Sequence, residues 1–199
     1  MPVVSVTALE RDMNADIAKK IFALAHDIGA TCLTLYPPHR FDRDVTWFSE
    51  ELPKLQKKYP DIVATIGNVE PKTILFVIPE YRDATLQLIK KTTGFTTLDV
   101  SHVDPESGID LLKAFTLLGS SICQVFLSDR DVEGTGKFPG TGEMPVESLL
   151  IKLAEAGYDG SFTLRVRPKE IAAGEPDEAI IARIREAQAF LDRYFSQEK

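Results

Sequence analysis

Asp99 and His102 stand three residues apart where the β-type run "FTTLDV" gives way to a loop. A carboxylate and an imidazole at that spacing can ligate a divalent metal or work as an acid–base pair. A catalytic zinc takes three protein ligands and an open position, so these two are not enough for one. A second group is cationic. Arg165 and Arg167 alternate along "SFTLRVR" and so share a face, and Arg130 follows "SICQVFLS". Guanidinium groups grip paired oxygens bidentately, which makes the three arginines candidates for holding a phosphorylated or carboxylate ligand. Their competing use is salt bridging to Asp99, Asp129 or Glu143. In the plainest version Asp99 pairs with Arg165 and His102 caps a loop. Tyr36 and His39, in "LTLYPPH", end another β-type run. His39 and Glu70 would join the same rim if a metal site had been rebuilt there. The segment "GTGKFPGTGE" (134–143) has four glycines around a lysine but opens no helix with Gly-Lys-Ser/Thr, so it is not a phosphate loop. It either borders the site or is a plain connection. His26 reads as a surface residue, Cys32 and Cys123 as packing residues, and Trp47 and Phe48 as core or interface.

These side chains need a scaffold, and six short apolar or β-branched runs supply it: "VVSVTA" (3–8), "TCLTLY" (31–36), "DIVATIGN" (61–68), "FTTLDV" (95–100), "SICQVFLS" (121–128) and "SFTLRVR" (161–167). Helical spacing lies between them. It is carried by Ile17, Ile21, Leu24 and Ile28; by Phe48, Leu52 and Leu55; by Leu86 and Ile89; by Leu149, Leu153 and Ala156; and by Ile180, Ile184, Ala187, Leu191 and Tyr194. Gly29, Gly94, Gly119 and Gly157 sit where helices should close. Strand alternating with helix, without a hairpin signal, predicts parallel strands and right-handed crossovers. The turn "ALERDMNAD" lacks the glycines of a dinucleotide-binding fold. Polar residues alternate along the strands (Ser5 and Thr7, Thr34 and Tyr36, Thr97 and Asp99, Gln124 and Phe126, Thr163 and Arg165). A strand covered by helices on both faces would be apolar throughout, so one polar face points to a barrel interior. "VEPKTILFVIPEY" (69–81) is an irregular insert.

The chain has 199 residues, of which 44% are hydrophobic and 27% charged, and a formal net charge of -7. That is enough for one domain with a real core, and residues 1–199 are read as one. The acidic balance argues against nucleic acid as a partner. No run approaches the length needed to cross a bilayer, and no secretory leader is visible. Two cysteines in apolar runs suit a reducing compartment, so a cytoplasmic location is expected.

"CQVFLSDR", "FPGTGEMPVESLLIKLAEAGYDGSFTLRV", "LDVSH", "ATIGN", "LTLYPPH" and "AHDIGAT" together resemble the later strands of xylose isomerase-like barrels. That superfamily holds sugar phosphate isomerases, epimerases and endonuclease IV. The resemblance implies an incomplete TIM-type (β/α) barrel of about six parallel strands with outer helices, matching strands three to eight of the family. It also implies edge strands that would let a homodimer close the barrel. Family members bind divalent cations at the strand ends. Here Tyr36, Gly67, Phe126 and Arg165 stand where the family carries histidine, glutamate, histidine and glutamate. Only the Asp99 and His102 pair matches. The expectation is therefore a degraded metal site with no cofactor; zinc, manganese or magnesium would enter only through a rebuilt one. The implied function is sugar phosphate isomerase/epimerase-like binding of a phosphorylated sugar or small carboxylate, with weak or no turnover. Asp99 or His102 would be the base, and Arg165, Arg167, Arg130, His39 and Tyr36 would contact the ligand. A non-catalytic docking protein, a rebuilt metal-dependent isomerase and an endonuclease IV-like repair enzyme are the alternatives.

Overall fold

A computed structural model describes residues 5–8, 13–104 and 109–195. Val3 and Val4 of the first expected strand, and residues 9–12 of the turn after it, fall outside that set. Six parallel strands carry the fold: β1 (Ser5–Thr7), β2 (Cys32–Leu35), β3 (Val63–Gly67), β6 (Thr96–Asp99), β7 (Ile122–Leu127) and β10 (Ser161–Leu164). Each falls inside one of the six runs read from the sequence. Their order in the sheet is β1-β2-β3-β6-β7-β10. Every described register is parallel, as in Leu33 opposite Ala64 and Thr163 opposite Phe126. The order never doubles back. A doubly wound sheet reverses direction at a switch point, so strands laid down in chain order are the pattern of a TIM-type barrel, here with six strands.

The helices are α1 (Ala15–Asp27), α2 (Leu52–Lys58), α3 (Leu86–Thr93), α4 (Leu111–Leu118), α5 (Val146–Glu155) and α6 (Asp177–Phe195). Among the described residues, none is long and apolar enough to cross a membrane. Asn14 caps α1, its side-chain oxygen accepting from the N–H groups of Asp16 and Ile17 at 3.0 and 3.1 Å. Gly94 closes α3 in the left-handed region at φ 75°, a conformation glycine adopts without steric cost.

The buried face of α1 differs from the one its apolar spacing predicts. Ala18, Phe22 and Ala25 are buried, while Leu24 and Ile28 are largely exposed. The two stripes lie one residue apart on the helix. On α6 the expected face holds at Ala187, which is buried, and at the half-buried Ile180, Leu191 and Tyr194, while Ile184 is exposed and Phe190, outside that face, is buried. The expected faces of α2, α3 and α5 hold through Leu52 and Leu55, Leu86 and Ile89, and Leu149 and Leu153, although Ala156 is exposed.

Two hairpins interrupt the strand–helix alternation where none was expected. In the 69–81 insert, β4 (Thr73–Ile74) pairs with β5 (Ile78–Pro79) across a turn in which Leu75 and Phe76 have φ of 51° and 65°. That turn normally carries Asn-Gly, so Leu-Phe sends no sequence signal, and left-handed residues of this type cost about 1–2 kcal/mol each. After β7, β8 (Asp129–Asp131) pairs with β9 (Gly134–Lys137).

The chain divides into two compact units, residues 1–98 with 117–123, and residues 99–116 with 124–199. In the first, Thr34, Thr65 and Thr97 close a ring of hydroxyl hydrogen bonds at 3.0, 2.7 and 2.7 Å, all fully buried. Each hydroxyl can donate once and accept once, so the polar layer is satisfied without solvent. In the second, the Gln124 amide donates to the Thr163 hydroxyl at 2.8 Å. Thr34, Thr97, Gln124 and Thr163 are alternating polar positions read from the strands.

Candidate functional site

The second unit gathers Asp99, His102, Phe126, Arg130, Arg165 and Arg167. Asp99 ends β6 and is fully buried. The chain then makes a tight 3-10 turn over Val100–His102, which swings Ser101 and His102 back toward the carboxylate. The Ser101 hydroxyl donates to Asp99 Oδ1 at 3.3 Å, and His102 Nδ1 lies 3.3 Å from Oδ2. Arg165, one residue past β10, donates from Nη1 to the same Oδ2. Its backbone N–H still bonds to the Leu127 carbonyl at 3.0 Å, so the sheet ladder fixes where the side chain starts. The guanidinium lies over the Phe126 ring, 5.3 Å from its centroid. Burial pushes the Asp99 carboxyl above the usual carboxylate range. His102, Arg165, the Ser101 hydroxyl and the His102 N–H oppose that rise.

The other two arginines are engaged elsewhere. Arg130 Nη1 reaches the Val103 carbonyl at 3.5 Å, and the β8–β9 hairpin that carries Arg130 packs against the Val100–His102 turn. Arg167 lies along Gly136 and pairs with Glu170 at 3.7 Å. Lys137 beside it pairs with Asp131 at 2.9 Å. Arg165 thus meets Asp99, Arg130 the Val103 carbonyl and Arg167 Glu170.

Asp129 was read as a salt-bridge partner. It is instead the anchor of the glycine-rich segment. Fully buried, its carboxylate accepts the N–H groups of Arg130, Gly140, Gly142 and Met144 at 2.8 to 3.1 Å. The segment after β9 is thus pinned by charge-assisted hydrogen bonds and is not a plain connection. A side chain at Gly142 would collide with Asp129 and the Arg130 carbonyl. The spacing of Asp129 to "PGTGE" was the available signal, since closely spaced glycines supply N–H groups that a buried carboxylate can collect.

In the first unit, Tyr36 and His39 follow β2. His39 Nδ1 lies 3.8 Å from Glu80, and its ring stacks on Tyr81 at 4.3 Å. Glu70 pairs with Lys72 at 2.8 Å. The Tyr36 ring lies against Gly67. His26 contacts Asp61 at 3.2 Å on the surface, and Trp47 and Phe48 are buried edge to face.

The resemblance implies a divalent cation, and the positions where it implies ligands carry the following groups. In the second unit the relevant positions hold an aromatic ring at Phe126 and a permanent positive charge at Arg165, already on the Asp99 carboxylate. In the first they hold a phenol at Tyr36 and no side chain at Gly67. Among the described residues, no group of three or more His, Cys, Asp or Glu is placed to hold a metal ion.

Comparison with known proteins places the fold. The chain superposes on L-ribulose 3-epimerase with a TM-score of 0.67 at 17% identity, over 98% of this chain and 75% of that one. It superposes on 3-keto-D-glucoside 4-epimerase from E. coli with a TM-score of 0.63 at 12% identity, over 95% and 80%. On endonuclease IV from Thermus thermophilus the TM-score is 0.63 at 16% identity, over 96% and 76%. In sequence, it is 32% identical over 89 residues to a candidate hydroxypyruvate isomerase of Streptomyces coelicolor, which is 43% of this chain. The match spans 30% of that relative's length. No family model matches. The chain shares the fold of these epimerases and of endonuclease IV, which is the fold that the sequence resemblance implied.

Proposed function

We propose that the chain is a sugar isomerase/epimerase-like protein that works without the family's metal and binds a phosphorylated sugar or small carboxylate beside Arg165. The observation that carries this is the Arg165 guanidinium, held over Phe126 and against the buried Asp99. A fixed cation at the end of a barrel strand can neutralise an anionic ligand, as a metal would, without needing one. The likeness to a hydroxypyruvate isomerase and to two sugar epimerases supports a small hydroxycarbonyl compound as the ligand class. The net charge of -7 speaks against the nucleic-acid use of this fold.

The same groups define what turnover the site is equipped for. Proton abstraction beside a carbonyl would use Asp99 or His102 as base, with Arg165 facing the developing enediolate oxygen. Asp99 is already bound to Arg165, so the reading expects weak isomerase activity or none.

The test is elemental analysis of purified protein after dialysis against zinc and manganese, followed by calorimetry with hydroxypyruvate and sugar phosphates. The reading expects no stoichiometric metal and ligand binding that Arg165→Met abolishes. Stoichiometric metal that vanishes in both Asp99→Ala and His102→Ala would overturn it in favour of a rebuilt metal site.

A further inference from the structure

We infer that Asp99 is an internal occupant of the Arg165 site, which makes the chain a self-masked receptor for compact carboxylates such as 2-hydroxy and 2-oxo acids. This rests on the reading of Arg165 as the ligand's counter-charge. Three observations carry it.

First, the two partners are unequally accessible. The Asp99 side chain is 0% exposed and that of Arg165 is 32% exposed. Solvent reaches the Arg165 side chain and not that of Asp99, so an incoming anion can compete for Arg165 from outside. Second, Asp99 keeps other partners when Arg165 turns away. Ser101 donates to Oδ1, and His102 Nδ1 is 3.3 Å from Oδ2. Exchange of partner therefore does not strand a buried charge, which is the usual reason a buried ion pair resists opening. Third, the Phe126 ring covers one face of the guanidinium. An anion then approaches at the edge of the guanidinium, where Asp99 Oδ2 now accepts from Nη1, and a second carboxylate oxygen, which Asp99 gives to Ser101, could pair there as well. A ligand carboxylate that draws Arg165 off Asp99 Oδ2 also changes the surroundings of His102, whose Nδ1 lies 3.3 Å from the same oxygen. Because Asp99 is tethered to the same unit, it competes at high effective concentration and holds the apparent affinity down.

The experiment uses glycolate and hydroxypyruvate as probes, with inorganic phosphate for comparison, against the full chain. By calorimetry, Asp99→Asn should bind glycolate about tenfold tighter or more than wild type, since the tethered competitor is neutralised. The gain should be smaller for phosphate. In wild-type protein, whose stability is not in question, glycolate should shift the His102 ring and Arg165 guanidinium NMR signals together; with three histidines in the chain, His102 is readily assigned. The inference falls if Asp99→Asn binds no tighter while Arg165→Met still abolishes binding. It also falls if saturating glycolate leaves His102 unmoved, or if phosphate gains as much as glycolate. Binding that survives in Arg165→Met would instead remove the receptor reading on which it rests.

Discussion

The Tyr36 ring occupies the space that a side chain at position 67 would need. A Cβ built on Gly67 would come within 3.0 Å of Tyr36 Cε1 and 3.4 Å of Thr34 Cγ2. The large ring just past β2 and the missing side chain on β3 are thus one packing solution. Gly67→Glu should destabilise the chain by about 1–3 kcal/mol, the usual cost of overpacking a buried position. Tyr36→Ala in the same chain should recover part of that loss, because it vacates the space. Urea denaturation of the two single variants and the double variant reads the coupling. Strict additivity would show that the ring and the glycine do not share the space.

Asp129 carries a larger share of stability than its exposed acidic neighbours. Four N–H groups converge on its buried carboxylate. Removing the acceptor strands the buried Met144 N–H at about 1–3 kcal/mol, while the N–H groups of Arg130, Gly140 and Gly142 can turn to water. Asp129→Ala should therefore cost about 1–3 kcal/mol. Amide exchange at Gly140, Gly142 and Met144 should accelerate together. Exchange that rises at one of the three alone would mean the segment is held by other contacts.

Cys32 and Cys123 should respond differently to a thiol reagent. Cys32 is buried, and burial raises its thiol pKa above the usual range, with hydrogen bonds from Thr65 and Thr34 opposing. The thiolate is the reactive form, so Cys32 should stay inert in the native protein. Half-buried Cys123 should react first, and Cys32 only in denaturant. Equal native rates for the two thiols, measured by site-resolved mass spectrometry, would contradict this.

The six strands were legible because each is a short β-branched run bounded by turn residues. Sheet order then followed from the absence of any glycine-rich first turn and from the alternating polar positions. Thr65 escaped that alternation, yet it closes the threonine ring with Thr34 and Thr97. The face of α1 was misplaced by one residue, because spacing alone follows Ile17, Ile21, Leu24 and Ile28 and passes over the neighbouring Ala18, Phe22 and Ala25 that are buried. The hairpin turn at Leu75 and Phe76 could not be read, since its left-handed residues are of types that avoid that region. Of the candidate site, the Asp99–Arg165 contact was foreseeable from opposite charges on strand ends of one barrel. The scattering of Arg130, Arg165 and Arg167 among separate partners was not, because it depends on the β8–β9 hairpin. Arg167 N–H bonds to the Gly136 carbonyl of that hairpin, which draws the chain after β10 away from the line of the strand.

Asp99 should leave a signature in the pH dependence of stability. Its carboxyl is held above the usual range chiefly by burial. A group whose pKa is higher folded than unfolded binds more protons in the folded state between the two values, so stability falls as pH rises there. The contribution is fully present below the unfolded value of about 3.9 and is lost as pH rises through the folded one. Asp99→Asn removes this titration. Wild-type stability minus that of Asp99→Asn, from urea curves at successive pH values, should therefore decline from the acid end upward and then level off. A difference that instead grows with rising pH would mean that Arg165 and His102 outweigh burial and hold the carboxyl below its ordinary value.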